Sequence, residues 1–325
     1  MTNNNHAITF IGNAIVDIIC KVTDKTLNYF EIEKGCMQLI DEERVRKLLN
    51  KIKNPTIISG GSAANTAVGY KSLGGKANFI GQIGSDKYGD LFSKNINDSG
   101  VCFEKLFSNA SDKTSKSIIL VTPDAERTMN TFLGASVKFN KDCINEPQIL
   151  QSQCIYIEGY LFDQSHAKEA IYHCCRLAKD NNSKIALSLS DQFCVDRHRY
   201  DFSHLIKEYV DIIFANEMEI TSLYQDGLDE SINKIIQSVD AGAITLGSKG
   251  SVVFQDNTKF EIDPIKITKL VDTTGAGDLF AAGFLYGFTN NMSIKDCGII
   301  GSKAAAEILT YYGARPQTPL KEIVN

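Results

Sequence analysis

Six short apolar runs, at residues 7–11, 77–80, 154–157, 185–189, 212–215 and 243–246, constrain the fold more than any other feature of the chain. Each is nearly continuous in apolar character rather than alternating, as a parallel strand covered on both faces requires. Longer amphipathic stretches, 63–73, 89–99, 165–179, 218–224 and 229–238, fall between and after them and have the length of crossover helices. The alternation specifies an α/β fold of three layers, a mostly parallel sheet with helices on both faces.

Two segments break the rhythm. Residues 16–39 and 102–135 carry the strand-like runs 117–122 and 128–133 with no helix between them. They predict a small β-rich insertion at one edge of the sheet, placed to act as a lid that also offers a surface for a homodimer. No repeat, low-complexity tract or Pro/Gly/Ser linker divides the rest, so residues 1–325 read as a single domain.

Composition excludes some partners. A formal net charge of -5, without a Lys/Arg stripe, gives no basis for a nucleic-acid interface. No stretch of about 18 apolar residues is present, and the polar start Met1-Thr2-Asn3-Asn4-Asn5 lacks the pattern of a signal peptide, so neither membrane nor export is expected and the location reads as cytoplasmic. The 9 cysteines show no metal-ligand spacing, and the adjacent Cys174 and Cys175 lie in an apolar-periodic stretch, which predicts reduced core thiols. The 5 histidines form no nucleophile–base pattern.

The segment that carries chemistry is Asp272-Thr273-Thr274-Gly275-Ala276-Gly277-Asp278, followed at once by a helical run over 279–286. Glycines ahead of a helix let backbone N–H groups converge where the helix dipole adds partial positive charge, an arrangement that binds anions. Asp278 falls in the first helical turn, near enough to that point to take a proton from a hydroxyl attacking a phosphoryl group. Taken singly, such residues are more often a turn and a helix-end acid. As a seven-residue unit the segment resembles the C-terminal signature of the PfkB-type carbohydrate and nucleoside kinases, the ribokinase superfamily. The resemblance implies a ribokinase-like fold, Asp278 as catalytic base and Gly275, Ala276 and Gly277 as the anion hole of an ATP-dependent phosphotransferase.

Further segments resemble the family in the same order along the chain. Gly60-Gly61-Ser62-Ala63-Ala64-Asn65, followed by Gly81-Gln82-Ile83-Gly84-Ser85-Asp86, is similar to its N-terminal signature, which implies that Gly60, Gly61 and Asn65 contact the acceptor's hydroxyls. Asp17, after the first strand, matches an acid that binds two acceptor hydroxyls, with Asn13 as a second candidate. Asn216-Glu217-Met218-Glu219 matches an Asn-x-x-Glu motif, which implies Asn216 near ATP and Glu219 on the waters of Mg²⁺. Thr245-Leu246-Gly247-Ser248-Lys249-Gly250 resembles the nucleotide loop, with Thr245, Gly247 and Gly250 approaching ATP. It is not a P-loop, because Ser248 stands where the Lys would have to follow the second glycine. A helix over 299–312, beginning near Ser293-x-x-Asp296 and ending at Gly313, would wall the adenine. Asp272 matches a ligand for a monovalent cation such as K⁺.

Within the superfamily, Gly12 to Asp17, Thr122 to Asn130 and Ser188 to Asp191 look most like the bacterial adenosine-kinase-type members. The expected acceptor is therefore the primary hydroxyl of a nucleoside, adenosine first, with Tyr160, Phe162, Phe132 and Leu133 offered as surfaces for the base. A sugar kinase and a nucleoside-binding regulator without turnover are the alternatives.

Overall fold

A computed structural model of the chain describes residues 7–105, 111–124 and 126–324. The polar start and Ala125 of the Thr122 to Asn130 stretch lie outside the described residues. The large sheet has nine strands, in spatial order Thr258–Ile262, Ser251–Gln255, Ala241–Thr245, Ile212–Asn216, Lys184–Ser188, Ser152–Glu158, Ala7–Ile11, Ala77–Ile80 and Cys102–Phe103. Seven are parallel, and the hairpin 251–262 adds two antiparallel strands at one edge.

The strand runs are apolar throughout because both faces are buried. On Ala7–Ile11, Ile8 and Phe10 enter one core, with Tyr156 and Phe214, while Ile11 enters the other, with Ile155 and Ile157. The first core is roofed by the helices Ser62–Ser72, Ala276–Thr289 and Ile294–Ile308, the second by Ser165–Asp180, Gln192–Glu208, Glu217–Tyr224 and Leu228–Ile236. Cys174 and Cys175 are both buried, unpaired core residues. Among the described residues no helix is long and apolar enough to cross a membrane.

A second sheet has the order Met37–Leu39, Arg127–Phe132, Ser115–Val121, Ile15–Lys21 and Thr56–Ser59. It holds both strand-like runs expected at residues 117–122 and 128–133, and it recruits Thr56–Ser59 from outside the expected spans. Cys102–Phe103, by contrast, pairs with Ala77–Ile80 in the large sheet.

Three differences from the sequence reading have local causes. The helix expected over 299–312 runs over Ile294–Ile308: Ser293 caps it by accepting from Asp296 N at 3.2 Å, and the chain leaves it at Leu309. Gly313 (φ +103) is thus not its C-terminal glycine but part of a later turn. The helix Gln192–Glu208 was not anticipated, because it is charged, has little apolar periodicity and is broken by non-helical angles at His198. The strand Thr258–Ile262 has no apolar run to mark it in the sequence because, as an exposed edge, it carries four polar or exposed residues before Ile262.

Successive strands are added to one side of Ala7–Ile11 and then to the other. The switch falls between Ala7–Ile11 and Ser152–Glu158, the place where open α/β sheets leave a crevice at their carboxyl ends. The residues after these two strands meet there.

Candidate active site

The glycine turn is built as the sequence suggests, by steric necessity. Gly275 has φ +82 and ends against Ala314, whose Cβ would lie 2.6 Å from any Cβ added to the glycine. Only glycine combines that conformation with that approach. The helix Ala276–Thr289 starts immediately, and its first N–H groups have no intrahelical acceptor. Ala276 N–H closes the turn by donating to Thr273 O at 3.2 Å. The N–H groups of Gly277 and Asp278 have no partner among the described residues. Apart from its own helix and chain neighbours, no atom would come within 4 Å of a Cβ on Gly277, which is exposed at the start of the helix.

Asp278 sits beside them. Ser62 Oγ donates to its Oδ1 at 2.6 Å and Asn65 Nδ2 to its Oδ2 at 3.0 Å. Burial pushes the Asp278 carboxyl up to about 6, against the lowering effect of those two hydrogen bonds. Both donors ride on the helix Ser62–Ser72, whose cap Gly61 adopts φ +91 with its α-carbon against Asn13 O.

Asp17, on Ile15–Lys21, is nearly enclosed, and a side chain at Gly60 would run into its Oδ2. Burial raises the Asp17 carboxyl to about 7, with Arg315 and Arg127 opposing the shift and Asp278 and Asp272 adding to it. Four charged groups from distant segments therefore act on Asp17 through their charge. Asn13 is placed differently. Its backbone N–H and its Nδ2 both donate to Glu158 Oε1, at 3.2 and 2.8 Å, while Glu158 Oε2 accepts from Ala63 N at 2.9 Å. Its side chain ties the end of the first strand to Glu158 across the switch point.

Asp272 is fully engaged. It pairs with Arg127 of the second sheet, and accepts from Thr274 N and Gly313 N, both at 2.9 Å. Arg127 also donates to Thr274 Oγ1. The acid expected to hold a monovalent cation thus has a guanidinium as its counter-ion, and this contact pins the second sheet to the residues just ahead of Gly275.

At the end of Ile212–Asn216, Asn216 and Glu219 form a reciprocal cap: Asn216 N and Nδ2 donate to Glu219 at 3.0 and 2.6 Å, and Glu219 N donates to Asn216 Oδ1 at 2.9 Å. Burial raises the Glu219 carboxyl to about 7, with Asp191 and Asp278 contributing through their charge. Thr245 ends the neighbouring strand, and Gly247 (φ +61) opens onto empty space, as a ligand-facing loop would. Gly250 (φ +94) is explained by packing, since a side chain there would strike Ile262 O across the hairpin.

The aromatic residues offered for a base need correction. Phe162 is fully buried and packs on Phe202 at 4.7 Å between centroids, so it belongs to the core. Tyr160 donates its hydroxyl to Ser190 O at 3.2 Å, and Phe132 lies under Lys116 Nζ at 5.2 Å. Strand alternation instead places Ile19, Ile119, Val121 and Met129 on the face of the second sheet that carries Asp17 and Arg127.

Among the described residues no group of three or more His, Cys, Asp or Glu is arranged to hold a metal ion. The site fits a magnesium ion that arrives on nucleotide phosphates and keeps its waters, with acids such as Glu219 nearby, rather than one caged by the protein. The unpaired amides of Gly277 and Asp278 fit a phosphate group.

Known proteins resemble this chain along most of its length. The sequence profile of the pfkB family carbohydrate kinases matches residues 35–321. A structure of adenosine kinase from Sinorhizobium meliloti superposes with TM-score 0.91 at 38% identity, covering 98% of each chain. A probable sugar kinase protein from Rhizobium etli gives TM-score 0.92 at 41% identity, covering 98% of this chain and 97% of that one. A nucleoside kinase from Methanocaldococcus jannaschii is 28% identical over 260 residues, 80% of this chain and 82% of the relative.

Proposed function

Since the chain belongs to the pfkB family of carbohydrate kinases, we propose that it transfers the γ-phosphoryl group of ATP to the primary hydroxyl of a nucleoside, with adenosine as its best acceptor. That it is a kinase of the nucleoside/sugar class follows from the family and from its relatives. The observation that carries the chemistry is the Asp278 carboxylate, fixed by Ser62 and Asn65 beside the unpaired amides of Gly277 and Asp278.

Kinases of this family use ATP with Mg²⁺, which supply an activated phosphoryl group and a counter-charge. The residues of this chain do the rest. Asp278 accepts the proton of the attacking hydroxyl at a carboxylate oxygen, and its raised pKa makes it a better base while leaving it ionised at neutral pH. Ser62 and Asn65 hold that carboxylate in one orientation. The amides of Gly277 and Asp278 donate to the charge that develops on the transferred group. Asp17 holds acceptor hydroxyls beside the backbone of Gly60, so that positioning supplies much of the rate. The second sheet, latched by Arg127 to Asp272, keeps water out.

A nucleoside is favoured over a free sugar by the 38% identity to the adenosine kinase from Sinorhizobium meliloti, and the largely buried apolar cluster Ile19, Ile119, Val121 and Met129, on the sheet face that carries Asp17, would flank a base bound there. Burying part of a base against aliphatic side chains contributes about 1–2 kcal/mol, or roughly one power of ten in kcat/KM. Adenosine, inosine, guanosine, ribose and fructose compared under one Mg²⁺ and K⁺ condition should rank with adenosine first. A sugar at or above the best nucleoside would overturn this acceptor assignment and leave the kinase chemistry standing.

Glu219→Gln tests the magnesium side. The amide cannot accept at both oxygen positions that now receive the Asn216 donors, and it removes a buried negative charge at the end of the strand that pairs with Thr245. The Mg²⁺ concentration for half-maximal activity should rise severalfold. If only the melting temperature falls, by the few degrees that loss of a cap worth about 1 kcal/mol brings, Glu219 is a helix cap and nothing more.

A further inference from the structure

Arg315 Nη2 is a fully enclosed donor with no hydrogen-bond partner among the described residues. Three other buried atoms share that condition, on Ser59, Gln82 and Ser251, but Arg315 alone is charged. A buried charged donor left unpaired is too costly to be incidental, and sites are where such costs are met. Its surroundings are specific. Nε reaches Asn65 Oδ1 at 3.5 Å, the same amide whose Nδ2 donates to Asp278. The guanidinium lies over the Phe92 ring, 5.9 Å from the centroid, and Asp17 is its neighbouring anion.

A carboxylate and a guanidinium that act on each other's charge without a hydrogen bond or ion pair between them suit one kind of ligand group. A hydroxyl can donate its proton to Asp17 while its oxygen accepts from Arg315 Nη2. A carboxylate or phosphate would be repelled by Asp17, and an apolar group would leave both charges unpaired. We propose that Arg315 is a specificity-determining residue that completes the hydrogen bonds of one ring hydroxyl of the acceptor, so that the site takes hydroxylated acceptors and rejects the matching deoxy analogue. This rests on the acceptor lying between Asp17 and Asp278. A site built to bond a hydroxyl discriminates strongly because the analogue strands its buried partners.

The test is kcat/KM for the best acceptor found and for analogues lacking each ring hydroxyl in turn, in the parent, Arg315→Gln and Arg315→Lys. The parent should prefer the hydroxylated acceptor by at least about 10² at one ring position. Arg315→Gln should cut that preference to within about tenfold, through loss on the hydroxylated acceptor only, with the KM for ATP within about threefold. Equal losses on both acceptors, or a raised KM for ATP with the preference intact, would overturn the proposal. Should the Gln variant fail to fold, Arg315→Lys keeps the charge beside Asp17 but loses the planar fork, and a preference unchanged in it overturns the proposal equally. If the best acceptor proves to be a sugar, the nucleoside assignment fails, while that sugar and its deoxy forms still decide the role of Arg315.

Discussion

Asp278→Asn is expected to lower kcat by about 10²–10⁴, the usual contribution of a positioned general base, with the KM for ATP changed only a few-fold. The substitution keeps the size of the side chain and lets its oxygen accept from Ser62. It removes the basicity and sets an amide donor against the Asn65 donor that now faces a carboxylate oxygen. The pH profile separates this from a general disturbance of the site. Because the Asp278 carboxyl is raised to about 6, the base is ionised above that pH and protonated below it. The parent's kcat/KM should therefore fall as pH drops through about 6 and level off above, and the Asn variant should lose the limb that belongs to Asp278. Asp17 and Glu158, both raised to about 7, lie close by, so a remaining limb nearer neutrality would belong to them. Retention of a tenth or more of the parent rate would show that Asp278 is not the base.

What the sequence discloses about this site depends on how far apart in the chain its parts lie. The turn before Asp278 is legible because glycines, helix start and acid are contiguous, so local rules apply to all of them at once. The strands are legible because burial of both faces leaves a continuous apolar run, as in Cys154-Ile155-Tyr156-Ile157. Arg315 meets Asn65 across 250 positions, and nothing local distinguishes an arginine before a proline from a solvated one. Arg127 likewise reaches Asp272 from another sheet. Glu158 carries a local signal of its own: an acid closing an otherwise apolar strand is buried with it, and a buried carboxylate needs donors, which Asn13 and Ala63 provide. The aromatic residues misled for the opposite reason, because an apolar ring such as Phe162 answers equally well to a core and to a pocket.

Gly277→Pro should lower kcat by about 10²–10³, the loss seen when one donor to a developing charge is removed, while the protein remains folded. Residue 277 is the second residue of the helix Ala276–Thr289, where an N–H has no intrahelical acceptor and proline's fixed φ is tolerated. Outside its own helix and chain neighbours no atom lies within 4 Å of a Cβ there, so the Cβ side of the ring meets no other element. The substitution deletes one hydrogen of the anion site, puts the ring's Cδ on the same nitrogen, and restrains the backbone of Ala276. Gly277→Ala is the matched control, since it keeps the N–H, improves local helix propensity and adds only a methyl group facing open space. The Ala variant should retain a rate within a few-fold of the parent, and both variants should melt within a few degrees of it. Equal damage in the two would mean that bulk at 277 obstructs the phosphoryl group. A Pro variant as active as the Ala variant would remove the Gly277 amide from the anion hole and leave the Asp278 amide, with Ala276 already spent on Thr273, as the one remaining donor of the first helical turn.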